Sequence, residues 1–319
     1  MKLHRFLRPL LAATLLGAAV TAQAQLSMML PANPGGGWDS TGRQSMQAMN
    51  EAGIYTGTVS FTNKGGAGGT IGLADFQRSQ KGKADALAVF GAITVGSIAM
   101  NKSPIDLSKF RPVARLTAEY VVLAVKADSP YENLDDFVQA MKANPGAMPV
   151  GGGSAGGTDH IALALLAQQG QVPVKALNYI PQAGGADTVT GIVNGTLKAG
   201  ISGASEFQQF ADSGRIRILA ISSDKRMRGL EQVPTFTEAG YKVEIANWRG
   251  ILGSVDMPEE NYQLWIDHFT KLSEAPQWKA TQERLGWEPY FLAGDKFGDF
   301  IKAETERTTT ILQDAGLIQ

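Results

Sequence analysis

The 319-residue chain has no cysteine and only three histidines. Absence of cysteine excludes disulfides, a thiol nucleophile, thiolate metal ligands and a lipid anchor on cysteine. Only His160 and His268 lie beyond the first 24 residues. Two histidines without cysteine are too few for a buried transition-metal site. No metal, cofactor or catalytic residue is therefore expected. A basic surplus is missing too: 29 Lys+Arg stand against 30 Asp+Glu. Nucleic acid and anionic lipid, which need basic faces, are unsuited partners. Long apolar runs are also lacking. The stretch Leu10–Val20 is well short of the roughly 20 residues that span a bilayer.

What is present at the start is an export signal. Lys2, Arg5 and Arg8 precede that short apolar run, and Ala22-Gln23-Ala24 follows it. A basic start, a short apolar core and a small-x-small site define a secretory signal peptide. Residues 1–24 are expected to be cleaved, leaving a periplasmic protein that starts near Gln25. The signal contains three basic and no acidic residues, so its loss moves the net charge from −1 to −4. A chain this long can be stable without disulfides, because its core is large.

Beyond the signal, short apolar runs alternate with helical patterns. Leu26–Leu30, Val59–Asn63, Leu87–Phe90, Val113–Leu116, Val121–Val125, Pro149–Gly151, Leu177–Ile180, Lys198–Ser202 and Ile216–Ile221 read as strands. Asp39–Asn50, Leu134–Ala143, Thr158–Gln168 and Asp187–Val193 read as helices. Such alternation predicts parallel α/β sheets. From Glu259 onward the pattern is mostly helical, ending in a helix over about 295–315. One feature repeats. Pro34-Gly35-Gly36-Gly37-Trp38-Asp39 and Gly151-Gly152-Gly153-Ser154-Ala155-Gly156-Gly157-Thr158 each join a strand to a helix. Two such units suggest two similar lobes. Lobe 1 is expected over 25–125 plus 248–319 and lobe 2 over 126–247, with Val121–Val125 crossing between them.

A glycine-rich turn entering a helix exposes backbone N–H groups that have no intrahelical partner. The helix dipole adds partial positive charge there, so the turn binds carboxylate or phosphate. Two facing turns could grip one anion from both sides. Other chemistries fit less well. Gly151-x-Gly153-x-x-Gly156 matches a dinucleotide-binding pattern, but Gln171–Ile180 lacks the acidic residue that should follow. Gly152-Gly153-Ser154-Ala155-Gly156 matches a hydrolase nucleophile elbow. Its only nearby histidine, His160, starts the same helix, and His268 lies in a helical pattern. Asp39 reads as a helix N-cap with Arg43 as its i+4 partner. Thr158 and Asp159 read as caps of the second helix. Trp248 reads either as core or as a cleft wall. Valine at Gly37 or Gly156 is expected to abolish binding and spare the fold.

These residues also carry a resemblance. In order, the stretches are Pro34–Asp39 with Arg43, Asn63–Gly69, Gly153–His160, Tyr179 with Gly184-Gly185, and Gly195-Thr196-Leu197. Leu219–Ser223 with Arg226, Val233-Pro234-Thr235 and Asn247-Trp248-Arg249-Gly250 follow. Together they resemble the substrate-binding receptors of tripartite tricarboxylate transporters, the TctC or Bug family. The resemblance implies a periplasmic-binding-protein-like (type II) Venus flytrap of two α/β lobes joined by crossing strands. It also implies a monomer serving a two-subunit membrane permease. The implied ligand is a small di- or tricarboxylate, with citrate first choice. The implied ligand-binding residues are Gly36, Gly37, Trp38, Asp39, Ser154, Ala155, Gly156, Gly157, Thr158, Tyr179, Ser202, Glu206 and Trp248. A carboxylate sensor coupled to a signalling partner would share all these features. The chain departs from the family at Tyr179–Gly185 and at Gly195-Thr196-Leu197-Lys198. Lys198 there either faces solvent or alters the charge of the cleft.

Overall fold

The computed structural model describes residues 25–319; the signal-peptide assignment lies outside the described residues. The elements in chain order are β1 (Leu26–Leu30), α1 (Gly37–Glu51), β2 (Val59–Asn63), α2 (Thr70–Ser79), β3 (Ala86–Gly91), α3 (Ala92–Met100) and β4 (Arg111–Lys126). Then come α4 (Leu134–Ala143), β5 (Val150–Gly152), α5 (Thr158–Gln169), β6 (Tyr179–Pro181), α6 (Gly185–Asn194), β7 (Ala199–Gly203), α7 (Ala204–Asp212) and β8 (Ile216–Ile221). The chain closes with β9 (Ala246–Gly253), α8 (Glu259–Glu274), α9 (Pro276–Leu285), β10 (Glu288–Ala293) and α10 (Gly294–Asp314).

Strand β4 organises the molecule. The runs Val113–Leu116 and Val121–Val125 are parts of this one 16-residue strand, not two strands. Its first half pairs antiparallel with β9 and β10, and its second half with β7 and β8. The sheet order is β2-β1-β3-β9-β4-β7-β5-β6, with β8 and β10 also on β4. Parallel β1, β2 and β3 therefore stand on one side of β4, and parallel β5, β6 and β7 on the other. Strand β3 is buried along its whole length, which explains its unbroken apolar sequence: helices cover both faces.

The chain crosses back through Ser222 and Ile245. Ser222 N donates to Val121 O at 2.9 Å, and Ile245 N to Ser222 O at 3.2 Å. The Ser222 hydroxyl accepts from Val121 N and donates to Ile245 O. This buried serine stitches the return path to β4 where the strand changes partners.

Four apolar clusters fill the interior. Two flank the β1–β3–β9 half, and two pack around β5, β7 and β8. Helix α10 touches both halves. Its Phe297 and Ile301 join the cluster of Phe90 and Trp248, while Leu312 joins that of Phe137 and Val150.

Candidate functional site

Both glycine turns open on a shared cleft of about 560 Å³ between the two halves. Its walls include Gly35–Trp38 and Gly65–Gly69 from one side, and Gly153, Ser154, Asp159 and Gly184–Ala186 from the other. Glu119 on β4 and Asn247 and Arg249 on β9 also line it, where the crossing strands run.

The two turns are built alike. In the first, Asp39 accepts from Gly35 N at 2.9 Å; in the second, Asp159 accepts from Gly153 N at 2.7 Å. The N-caps are Gly36 and Gly157, so neither Asp39, Thr158 nor Asp159 caps its helix as the sequence suggested. Each aspartate instead reaches back from the first turn and ties down its own loop. Intrahelical bonding begins at Ser40 N→Gly36 O and Ile161 N→Gly157 O. The amides of Gly37, Trp38 and Asp39 precede the first of these, and those of Thr158, Asp159 and His160 precede the second. They are the donors a helix start leaves for an anion. Three other loop amides are committed: Gly36 N to Asn33 O, Gly157 N to Ser154 O, and Gly156 N to His160 Nδ1.

The environments of the two aspartates differ. Burial alone would raise the pKa of Asp39, but Gly35 N, Asn63 and the Arg43 guanidinium outweigh it and hold the carboxyl below its usual range. Arg43 lies at i+4 as the sequence indicated, with Nε 2.8 Å from Asp39 Oδ1. Asp159 has no such cation. Burial pushes its pKa up to about 7, with the Gly153 amide opposing and the Glu206 and Glu119 carboxylates adding to the rise. Burial also lowers His160 to about 4. Its Nδ1 accepts a hydrogen bond, so the ring is neutral with its proton on Nε2.

Several sequence-derived site residues stand behind the cleft wall, not in it. Tyr179 donates its hydroxyl to Gly153 O at 2.8 Å and stacks on His160 with ring centroids 4.2 Å apart. It buttresses the second turn. Gly156 has φ +75°, and a Cβ there would come 2.1 Å from Met100 Cγ. A Cβ on Gly96 of α3 would lie 1.8 Å from Gly156 O. Turn and α3 therefore touch backbone to backbone, and valine at Gly156 would damage packing; the expectation that it spares the fold is corrected. Ala155 and Thr158 sit in the same turn without lining the cleft, and Thr158 Oγ1 is buried without a partner. Trp248 is core: it is 1% exposed and makes edge contacts with Phe90, Phe297 and Phe300. Lys198 is exposed and absent from the wall. Trp38, Ser202 and Glu206 do line the cleft, and the Ser202 hydroxyl donates to Glu206.

Sequence reasoning missed the pair at the floor. Arg249 Nη2 donates to Glu119 Oε2 at 2.6 Å, with side chains 7% and 3% exposed. Glu119 also accepts from the amide and hydroxyl of Ser205, at the start of α7. Strands β4 and β9 thus meet α7 through one carboxylate. A Cβ on Gly37 would come 2.9 Å from Arg249 Nη2, so the first glycine turn lies directly against this guanidinium. The serine-hydrolase reading finds no geometric support: His160 is bound to Gly156, and His268 of α8 sits between Trp265 of the same helix and Tyr55, which follows α1.

Two α/β halves on shared crossing strands, with a polar cleft between them, define a two-lobe solute-binding protein. The family described as "Tripartite tricarboxylate transporter family receptor" matches residues 43–317, and the chain belongs to it. Protein BugT of Bordetella pertussis is 26% identical over 301 residues, covering 91% of this chain and 89% of that protein. The crystal structure of a TctC solute-binding protein from Polaromonas is similar with a TM-score of 0.71 at 26% identity, covering 91% of this chain and 98% of that one. MatC from Rhodopseudomonas palustris, solved with bound malate, shares the fold at a TM-score of 0.79 and 19% identity, covering 90% and 98%. The family and these structures are receptors that bind solutes.

Proposed function

We propose that this receptor works in the periplasm, captures a small carboxylate between the starts of α1 and α5, and hands it to a two-subunit membrane permease. The observation that carries the reading is the pair of matched glycine turns, each braced by its own aspartate and each on the wall of one cleft. The jaws would be residues 25–125 with 248–319, and residues 126–247, acting as a monomer once residues 1–24 are removed. A carboxylate seated on the amides of Gly37–Asp39 and near Ser154 would gain charge-assisted hydrogen bonds, each about 1.5–3 kcal/mol. Helix ends would add roughly 0.3–2 kcal/mol each. Association and closure subtract from this, and micromolar affinity, about −8 kcal/mol, is within reach.

Citrate, the ligand favoured by resemblance, would bring up to three negative charges. The guanidinium on the wall is already paired with Glu119, so a ligand of lower negative charge suits the cleft better. Malate, the ligand in the Rhodopseudomonas protein of the same fold, is also a carboxylate, which agrees with the ligand class. The test is a thermal-shift screen of mono-, di- and tricarboxylates against the mature protein. A true ligand at about a hundred times its Kd should stabilise by roughly 2.7 kcal/mol. Failure of every carboxylate to raise Tm would remove the ligand class.

A further inference from the structure

The two glycine turns are braced by equivalent aspartates, and only one of these is neutralised. Asp39 and Asp159 each stand in the first turn of a helix, and each accepts from a loop amide, Gly35 N and Gly153 N. Asp39 has Arg43 at i+4, in a salt bridge of 2.8 Å, and Asn63 Nδ2 donates to the same carboxylate. At the matching place beside Asp159 stands Leu163, apolar and buried. Asp159 is 7% exposed and lines the cleft. Among the described residues, Gly153 N is its one hydrogen-bond donor.

The groups around Asp159 bring it no positive charge. Glu206 of α7 and Glu119 of β4 share the cleft wall with it. Arg249 of β9, the one cation on that wall among the described residues, is bound to Glu119. Tyr179 of β6 has its hydroxyl on Gly153 O, and burial holds its pKa well above the usual range, so the phenol is neutral. His160, next along α5, accepts from Gly156 N and is neutral as well. Helices α3 and α6 give the wall only Ile93, Gly185 and Ala186. Burial first, with Gly153 N opposing and the two glutamates adding, brings Asp159 to about 7. An anion on the amides of Thr158–His160 would add another negative charge at the foot of this carboxyl. Both would draw on the same helix start, where burial leaves little water to screen their repulsion.

We propose that Asp159 is a proton-binding residue of the cleft: seating an anion on the start of α5 draws a proton onto its carboxyl, so that solute and proton bind together. This rests on the carboxylate reading above and adds a second, linked ligand at the same seat. Linkage is reciprocal: whatever factor the anion adds to the affinity for the proton, the proton adds to the affinity for the anion. Where the free protein already holds the proton, affinity does not vary with pH. Above that range each anion must bring a proton in. Affinity then falls as pH rises, by up to about tenfold per unit, until the complex loses the proton too. The first turn, neutralised by Arg43, adds no such dependence.

The experiment is isothermal titration of the mature protein with acetate, succinate and citrate from pH 7.5 to 9, where all three acids are ionised. Each titration is run in two buffers of different ionisation enthalpy, so that the change in apparent enthalpy counts protons. An acid that binds should take up about half a proton or more at pH 8, with affinity falling roughly threefold or more across the range. Asparagine at Asp159 keeps an acceptor for Gly153 N; in Asp159→Asn the uptake should vanish and affinity should no longer vary with pH. Glu206→Gln gives an independent reading: with one like charge fewer, uptake persists but its midpoint moves to lower pH. Uptake that survives in Asp159→Asn, or is abolished in Glu206→Gln, puts the proton on another group and overturns the proposal. Binding without proton uptake also overturns it and leaves the carboxylate receptor standing. Absence of binding by all three acids overturns both readings.

Discussion

Replacing Asp159 with asparagine should change how stability depends on pH. Asp159 is 7% exposed, has no cationic partner, and titrates near 7 against a reference of 3.8. Below pH 3.8 the carboxyl is protonated in both folded and unfolded chains. Between 3.8 and about 7 the folded protein keeps a proton that the unfolded chain has released. Stability therefore falls as pH rises through that window, because the folded state binds more protons there. At ~1.4 kcal/mol per tenfold change in the equilibrium, the penalty in place by pH 8 is roughly 2–4 kcal/mol. Asparagine keeps an oxygen to accept from Gly153 N and removes the ionisation. His160 acts in the opposite sense: lowered to about 4, it makes stability rise with pH from about 4 to 6.5. The variant leaves that contribution in place, so comparing variant with wild type at each pH isolates Asp159.

The assay is thermal unfolding followed by circular dichroism at constant ionic strength. At pH 8, Asp159→Asn should raise Tm by several degrees, since about 1 kcal/mol shifts Tm by ~2–4 °C for chains near this size. At pH 4.5 the gain should shrink to about a quarter of that. An equal shift at both pH values, or a lower Tm at pH 8, would refute the reasoning: the carboxylate would then be solvated or paired in the folded protein.

Two other substitutions probe the frame of the cleft. Arg249→Met leaves Glu119 buried with only Ser205 as a donor. Stripping one partner from a buried ion pair costs about 3–5 kcal/mol, and urea denaturation should show a loss of that order; a loss below about 1 kcal/mol would mean Glu119 is reached by water. Gly156→Val forces a side chain into Met100 at a left-handed φ of +75°, so Tm should drop sharply along with binding, while a variant with wild-type Tm would contradict the contact between this turn and α3.

Much of the fold could be read from the amino acids because the parallel strands carry their own signal. Strands buried on both faces need uninterrupted apolar runs, and Leu26–Leu30 coincides with β1 for that reason; Val59–Asn63 coincides with β2, a less buried parallel strand, and Ile216–Ile221 with β8, which pairs antiparallel with β4. Helix α4 was legible for a different reason: its apolar residues recur at helical spacing, and the structure adds a capping box of Asn133 and Asp136 at its start. Strand β4 read as two strands because Thr117, Glu119 and Tyr120 interrupt its apolar sequence. Those residues sit where the strand leaves one set of partners for the other. The polar break thus carries Glu119 to the cleft wall, and local pattern could not distinguish it from a loop.

The same physics explains why Trp248 stood out in the sequence and Arg249 did not. Side chains of a strand alternate between faces. Once Ala246–Gly253 is known to be β9, Trp248 and Gly250 belong to one face and Asn247 and Arg249 to the other. Trp248 meets Phe297, and a Cβ on Gly250 would also meet it, so that face is core. The opposite face must then line the cleft, which is where Asn247 and Arg249 are found. Recognising the strand would have replaced the aromatic ring with the guanidinium as the candidate residue. It would also have left open what Arg249 is for, because its partner Glu119 lies 130 residues earlier in the chain. That pairing leaves the floor of the cleft neutral. With Arg249 committed to Glu119, the anion seat proposed above rests on backbone amides at helix starts.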